Sequence, residues 1–208
     1  MNDLRFKLLQ DLHKYYPVGT PSANGTYPGY HMLCKIVEDK INSLIQNEET
    51  PWMKLVGKIE SDATMNVFDE AYEQFPNYAL RIDIRTNSIG RYINRESVYL
   101  VISLLTKYFT VFLREDLLVC DGDDKQLKLI CLSETKSSDD ALEIINKLKL
   151  IASEMFSSHT FIHHKALFNF RITGAVPHGE DETNPERFSI FSFLFGHYHF
   201  IDRTVVFD

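Results

Sequence analysis

The residues best suited to chemistry are histidines, which crowd the C-terminal part of the chain. Six of the eight histidines fall in the last fifty residues, at His159, His163, His164, His178, His197 and His199. His197 and His199 are two positions apart, so on a strand they would project from one face. His159 and His163, four positions apart, would do the same on a helix. Either pair could give two imidazole nitrogens to one metal ion.

Such a pair would make the chain a metal-dependent hydrolase. Acidic residues that could complete the coordination shell are Glu180, Asp181, Glu182 and Asp202. However, neutral histidines in an aromatic-rich region commonly bridge core and solvent. We therefore favour a structural role for these histidines, with no bound metal and no other cofactor, and keep the hydrolase as the alternative.

A second group of residues resembles a nuclease site. Asp121 precedes an apolar stretch, and Glu134-Thr-Lys136 follows it. In metal-dependent PD-(D/E)xK nucleases, carboxylates hold a divalent ion and the lysine helps to activate water. The Pro-Asp dipeptide of that motif is missing, and the short E-x-K pattern is common by chance. This nuclease is the less favoured alternative.

Acidic residues occur in runs that lack intervening lysine or arginine. One run consists of Glu60, Asp62, Asp69, Glu70 and Glu73, and a second contains Glu115, Asp116, Asp121, Asp123 and Asp124. A solvated face would explain any single run. Several runs in one small protein could also form a negative surface that attracts a basic protein partner. We predict partner binding through Glu60, Asp62, Asp69, Glu70, Glu73, Asp121, Asp123 and Asp124.

Composition and missing motifs narrow the classes of function. The net charge of −7 disfavours binding to nucleic acids or to anionic membranes. The chain contains no P-loop, dinucleotide fingerprint, nucleophile elbow, H-E-x-x-H or kinase signature. Three cysteines without a C-x-x-C pair suggest a reducing compartment. With no signal peptide evident, we expect a cytoplasmic protein that is not an enzyme.

Hydrophobic periodicity predicts the elements that would position these residues. Helices are expected at 3–15, 30–46, from Pro51 onward and from Ser138 to about 156. Strands are expected at 80–84, 98–105, 108–113, 117–120, 127–132, 167–173, 188–195 and 197–207, with a turn at 87–90. This order predicts a single α+β domain over residues 1–208. Its antiparallel or mixed β-sheet would be packed by the N-terminal helices and one central helix, with the helices on one face.

Three stretches of the first 115 residues or so resemble small bacterial immunity proteins of polymorphic toxin systems. They are Tyr16-Pro-Val-Gly19 with Tyr27-Pro-Gly-Tyr30, Pro51-Trp52, and Val98–Leu105 running into Lys107–Phe112. The resemblance implies an inhibitor that binds a cognate toxin, such as a basic nuclease, and occludes its active site. These motifs are structural, and no functional residue is carried over from them.

Overall fold

The computed structural model describes residues 2–19, 24–46, 48–61, 65–120, 126–132, 138–180, 188–196 and 205–206. Its longer helices are α1 (Asn2–His13), α2 (Pro28–Ile45), α3 (Pro51–Glu60) and α4 (Asp139–Met155). Two short helices follow, α5 (His164–Phe168) and α6 (Ile190–Phe195). Thr50 and Ser138 cap α3 and α4 by accepting hydrogen bonds from the Met53 and Ala141 amides. The predicted helices of the first 156 residues are therefore confirmed to within a few residues.

The strands form one large sheet and one small pair. They are β1 (Asn66–Asp69), β2 (Asn77–Ile89), β3 (Tyr92–Ser103), β4 (Tyr108–Cys120), β5 (Gln126–Leu132), β6 (Thr160–Phe161), β7 (Arg171–Ile172), β8 (Phe188–Ser189) and β9 (Val205–Val206). In the large sheet the order is β1-β2-β3-β4-β5-β9, and β6 also pairs with β4. The pairs β4–β6 and β5–β9 are parallel and the other neighbours antiparallel, so the sheet is mixed. The predicted α+β class is confirmed.

Helices cover both faces of this sheet, whereas the sequence suggested one. Leu80, Leu100 and Val111 point to a core formed with α3 and α4. Their neighbours Ala79, Val101 and Phe112 point to a second core, formed with α1, α2, α5 and α6. The continuous apolar run in β3, buried from Ser97 to Ser103, is the pattern expected of a strand covered on both faces.

The predicted strand at 188–195 is mostly a helix. Only Phe188 and Ser189 are extended, and Ser189 then caps α6 by accepting a hydrogen bond from the Ser192 amide at 3.3 Å. All six residues of α6 are buried, so the run shows neither a helical nor a strand period. The predicted strand at 167–173 is also wrong at its first two residues, which belong to α5, and only Arg171–Ile172 is extended.

The central strands are longer than predicted. β2 continues through the predicted turn at 87–90 to Ile89, and the chain reverses at Gly90-Arg91. Gly90 has a φ of 61°, a value that two-residue hairpin turns require at this position. The stretches 108–113 and 117–120 form the single strand β4, and β1 was not predicted at all. In the described part of the chain, no helix has the length and apolarity needed to cross a membrane.

Candidate binding surface

The histidines expected to share a helix lie in different structures. α4 ends at Met155, and the chain then pairs with β4 through the hydrogen bond from the Thr160 amide to the Lys107 carbonyl oxygen. His163 caps α5, its Nδ1 accepting from the Lys165 amide at 3.2 Å. A helical pairing of His159 with His163 is therefore wrong.

The remaining metal and nuclease alternatives involve residues outside the described part. His197, His199, Asp121, Glu134 and Lys136 all lie there. Among the residues that the structure describes, no group of three or more His, Cys, Asp or Glu side chains could hold a metal ion. The predicted hairpin itself is confirmed, because β4 and β5 pair from Arg114–Leu132 to Cys120–Gln126.

Of the acidic residues predicted to bind a partner, Asp69 is held firmly in place. It ends β1, where its carboxylate accepts hydrogen bonds from Trp52 Nε1 at 3.2 Å and from the Ala71 amide at 2.9 Å. Trp52 is fully buried and stacks on Tyr78 with ring centroids 5.0 Å apart. Burial and, to a smaller extent, the charge of Glu60 raise the pKa of the Asp69 carboxyl. This anchor fixes where the connection between β1 and β2 begins.

Glu70 belongs instead to an ionic network on the sheet. Its carboxylate lies 3.3 Å from Arg81 Nη1, and both side chains are largely buried. Arg81 also approaches Asp83 at 3.1 Å, and its guanidinium lies over the Phe68 ring. Burial raises the pKa of the Glu70 carboxyl, and Arg81 opposes that effect. Glu70 therefore contributes to the internal structure, and its negative charge is balanced by Arg81.

A buried lysine fixes the rest of the β1–β2 connection. Lys40 of α2 is only 4% exposed. Its ammonium donates to the carbonyl oxygens of Phe75 at 2.9 Å and Asn77 at 3.2 Å, and also to that of Glu73. Burial lowers the pKa of Lys40 to about 8, while the charges of Glu73 and Asp69 act in the opposite direction. The Lys40 amine therefore donates its hydrogen bonds to main-chain carbonyl oxygens of the connection and holds it in place.

These anchors leave an exposed, negatively charged surface, which we call the acidic surface. It consists of Glu60 at the end of α3, Asp69 at the end of β1, and Tyr72 and Glu73 in the connection. Tyr72 is 52% exposed, and Glu60 and Glu73 are also exposed. Of the predicted residues, Asp69 and Glu73 lie near Lys40, and Glu60 lies near Asp69. Asp62, Asp121, Asp123 and Asp124 lie outside the described residues.

Two members of this arrangement were missed at the level of sequence. Lys40 interrupts the apolar stripe Leu33, Val37 and Leu44 of α2, and all four residues are buried. A lysine on the buried stripe of an amphipathic helix signals a bonded amine, because an unpaired buried charge is costly. No comparable signal marks Tyr72, whose exposure depends on the path of the connection.

Comparison of the chain with protein-family models, with curated proteins and with solved structures gives no match.

Proposed function

We propose that this chain acts by binding another protein, and that it is a cytoplasmic immunity protein that neutralises a cognate toxin by covering its active site. The observation that supports this proposal is the acidic surface, in which Tyr72 and Glu73 stand on a connection held by Lys40 and Asp69, with Glu60 at the end of α3. Such a mechanism needs a rigid complementary surface and no catalytic group.

The anchoring of the acidic surface favours tight association. Lys40 and Asp69 already restrict the connection in the free protein, so binding would order few additional residues. Less conformational entropy is then lost on association. Tyr72 supplies exposed aromatic area of the kind that dominates binding energy at protein interfaces.

The charge of the surface favours a basic partner. Glu60, Asp69 and Glu73 contribute three carboxylates, whereas the nearby Lys40 amine is buried and bonded to carbonyl oxygens. Opposite charge accelerates diffusional encounter and makes association sensitive to salt. A toxin domain that binds nucleic acid would present such a basic face.

The decisive experiment is co-expression with the toxin-like product of a neighbouring gene. We expect the chain to restore growth and to form a stable complex on gel filtration. The variants Glu73→Lys and Tyr72→Ala should weaken the complex, and raising the salt from 50 to 500 mM should slow association at least about tenfold. Asp3→Lys, which makes the same charge change on the exposed side of α1, is the matched control.

Two results would count against this function. One is that no neighbouring product is toxic or bound by the chain. The other is that Asp3→Lys weakens the complex as much as Glu73→Lys does, which would show that only net charge matters.

A further inference from the structure

Among the residues that the structure describes, nothing pairs with the outer edge of β2 beyond β1. β1 pairs only with Leu80–Asp83. β2 continues to Ile89, and among the described residues no strand pairs with its outer edge over residues 84–89. Residues 85–89 are all exposed. An open strand edge of this kind is a template for pairing with another chain.

The register identifies the groups that this edge presents. Ile89 and Tyr92 flank the two-residue turn and are opposite each other, so they form a hydrogen-bonded pair. Alternation along the ladder then makes Asn87–Asn94 a hydrogen-bonded pair as well. The amides and carbonyls of Thr86 and Ser88 therefore point away from β3, toward solvent.

A cavity of about 340 Å³ lies beside this edge, between β2 and α4. Ile82, Ile84, Met65 and Ile144 give it apolar walls, and Asp140, Glu143 and Lys147 stand around it. A long aliphatic chain with a charged end group suits such a site, because its stem covers apolar surface while its head reaches the rim.

The acidic residues around the cavity favour a positively charged end group. Glu96 of β3 lies directly opposite Glu115 of β4, an arrangement of like charges that destabilises a sheet. Arg85, opposite Glu96, and Lys147 in the cavity wall provide two positive charges, against the carboxylates of Asp83, Asp140 and Glu143 in the wall and of Glu96 and Glu115 beside it. Burial raises the pKa of the Glu96 carboxyl, and the charges of Glu115 and Asp140 add to that effect. A cation from a partner would relieve this repulsion.

We propose that the open edge of β2 accepts an extended, basic segment of a partner protein as an additional strand, with one lysine or arginine side chain in the cavity beside α4. The proposal rests on the protein-binding function above and specifies how part of the partner is recognised. Main-chain hydrogen bonds to Thr86 and Ser88 would give affinity, and the cavity would give selectivity.

The probe is a displayed library of random seven-residue peptides, selected against the full chain. We expect enriched peptides to be free of proline at their centre and to carry Lys or Arg flanked by β-branched residues. Thr86→Pro removes one outward amide without removing a β2–β3 hydrogen bond, and it should weaken peptide binding at least tenfold. Thr86→Ala keeps the amide and is the matched control. Glu143→Gln should weaken basic peptides and leave neutral ones unchanged.

Amide spectra of the Thr86→Pro variant would establish that the β2–β3 hairpin remains folded. The proposal is overturned if no peptide is enriched, if enriched peptides lack basic residues, or if they bind Thr86→Pro as tightly as Thr86→Ala. A concentration-dependent dimer that Thr86→Pro abolishes would show that a second copy occupies the edge, and would overturn it too. None of these results bears on the co-expression experiment, so failure here and failure of the proposed function remain distinguishable.

Discussion

His164 should make the fold sensitive to mild acid. Its ring is 1% exposed at the start of α5, stacked on His163 and close to Phe112. Burial, and to a smaller extent the neighbouring His163, Lys165 and Lys149, lowers the pKa of His164 from 6.5 to about 3. The folded state therefore keeps this ring neutral over a range of pH in which the unfolded chain protonates it.

The sign and size of the effect follow from proton linkage. Between pH 6.5 and 3 the unfolded state binds the extra proton, so the free energy of unfolding falls as the pH falls. The shift of His164 corresponds to a loss of about 2 kcal/mol at pH 5 and about 3 kcal/mol at pH 4 relative to pH 7 or above. His164→Leu removes the titrating group and should remove that part of the pH dependence.

Urea unfolding followed by fluorescence of the single tryptophan, the buried Trp52, gives the measurement. Groups that do not interact with His164 contribute equally to the wild type and the variant, so they cancel in the difference between the two. His31→Leu removes an exposed histidine and is the control. If the wild type and His164→Leu lose the same free energy of unfolding between pH 7 and 5, the reasoning about His164 is refuted.

Three further substitutions test the packing described above by the same unfolding measurement. A Cβ on Gly29 would lie 1.8 Å from a main-chain oxygen, whereas at Gly25 it meets open space; Gly29→Ala should lose about 3 kcal/mol or more and Gly25→Ala much less, and equal losses would contradict this. Lys40→Met should lose about 3 kcal/mol by leaving main-chain carbonyls without their donor, and a neutral result would mean that water replaces the ammonium. Arg114→Met should lose about 2–3 kcal/mol because it removes one of the two arginines that pair with the buried carboxylate of Asp116, Arg114 at 2.7 Å and Arg95 at 2.8 Å; a negligible loss would show that Arg95 alone satisfies that carboxylate.

Local sequence patterns were sufficient where one face of an element is buried. α2, α3 and α4 were predicted because apolar residues recur at helical spacing and because Thr50 and Ser138 mark their starts. The same logic failed for α6, whose six residues are all buried and so carry no period. The placement of helices on both faces was readable in principle from the unbroken apolar run of β3.

The candidate surface was predictable only in part, because charge along a sequence does not reveal which charges are matched in the fold. Glu70 and Glu73 are three positions apart and look equivalent in the sequence. The pairing of β1 with β2 brings Arg81 of β2 to an ion pair with Glu70. Glu73, by contrast, remains exposed. Long-range pairing of this kind is not encoded in residue spacing.

The acidic surface and the open edge lie along the same side of the sheet. β1 has only four residues. The β1–β2 connection follows its C-terminal end, and the outward amides of Thr86 and Ser88 lie beyond its N-terminal end. Asp69 pairs with Leu80, and six residue steps of β2 separate Leu80 from Thr86, roughly 20 Å at the usual strand rise. A typical interface of about 800 Å² per partner is about 30 Å across, so one partner of ordinary size can contact both regions.

This arrangement predicts how the two regions combine against a single partner. Glu73 and Thr86 share no contacts and lie farther apart than the range over which substitutions usually couple. The losses of binding free energy in Glu73→Lys and Thr86→Pro should therefore add in the double variant to within about 0.5 kcal/mol. Titration calorimetry with the partner protein from co-expression would measure all four affinities. If the second substitution has no effect once the first is made, the two regions do not bind the partner simultaneously, and the single continuous interface is excluded.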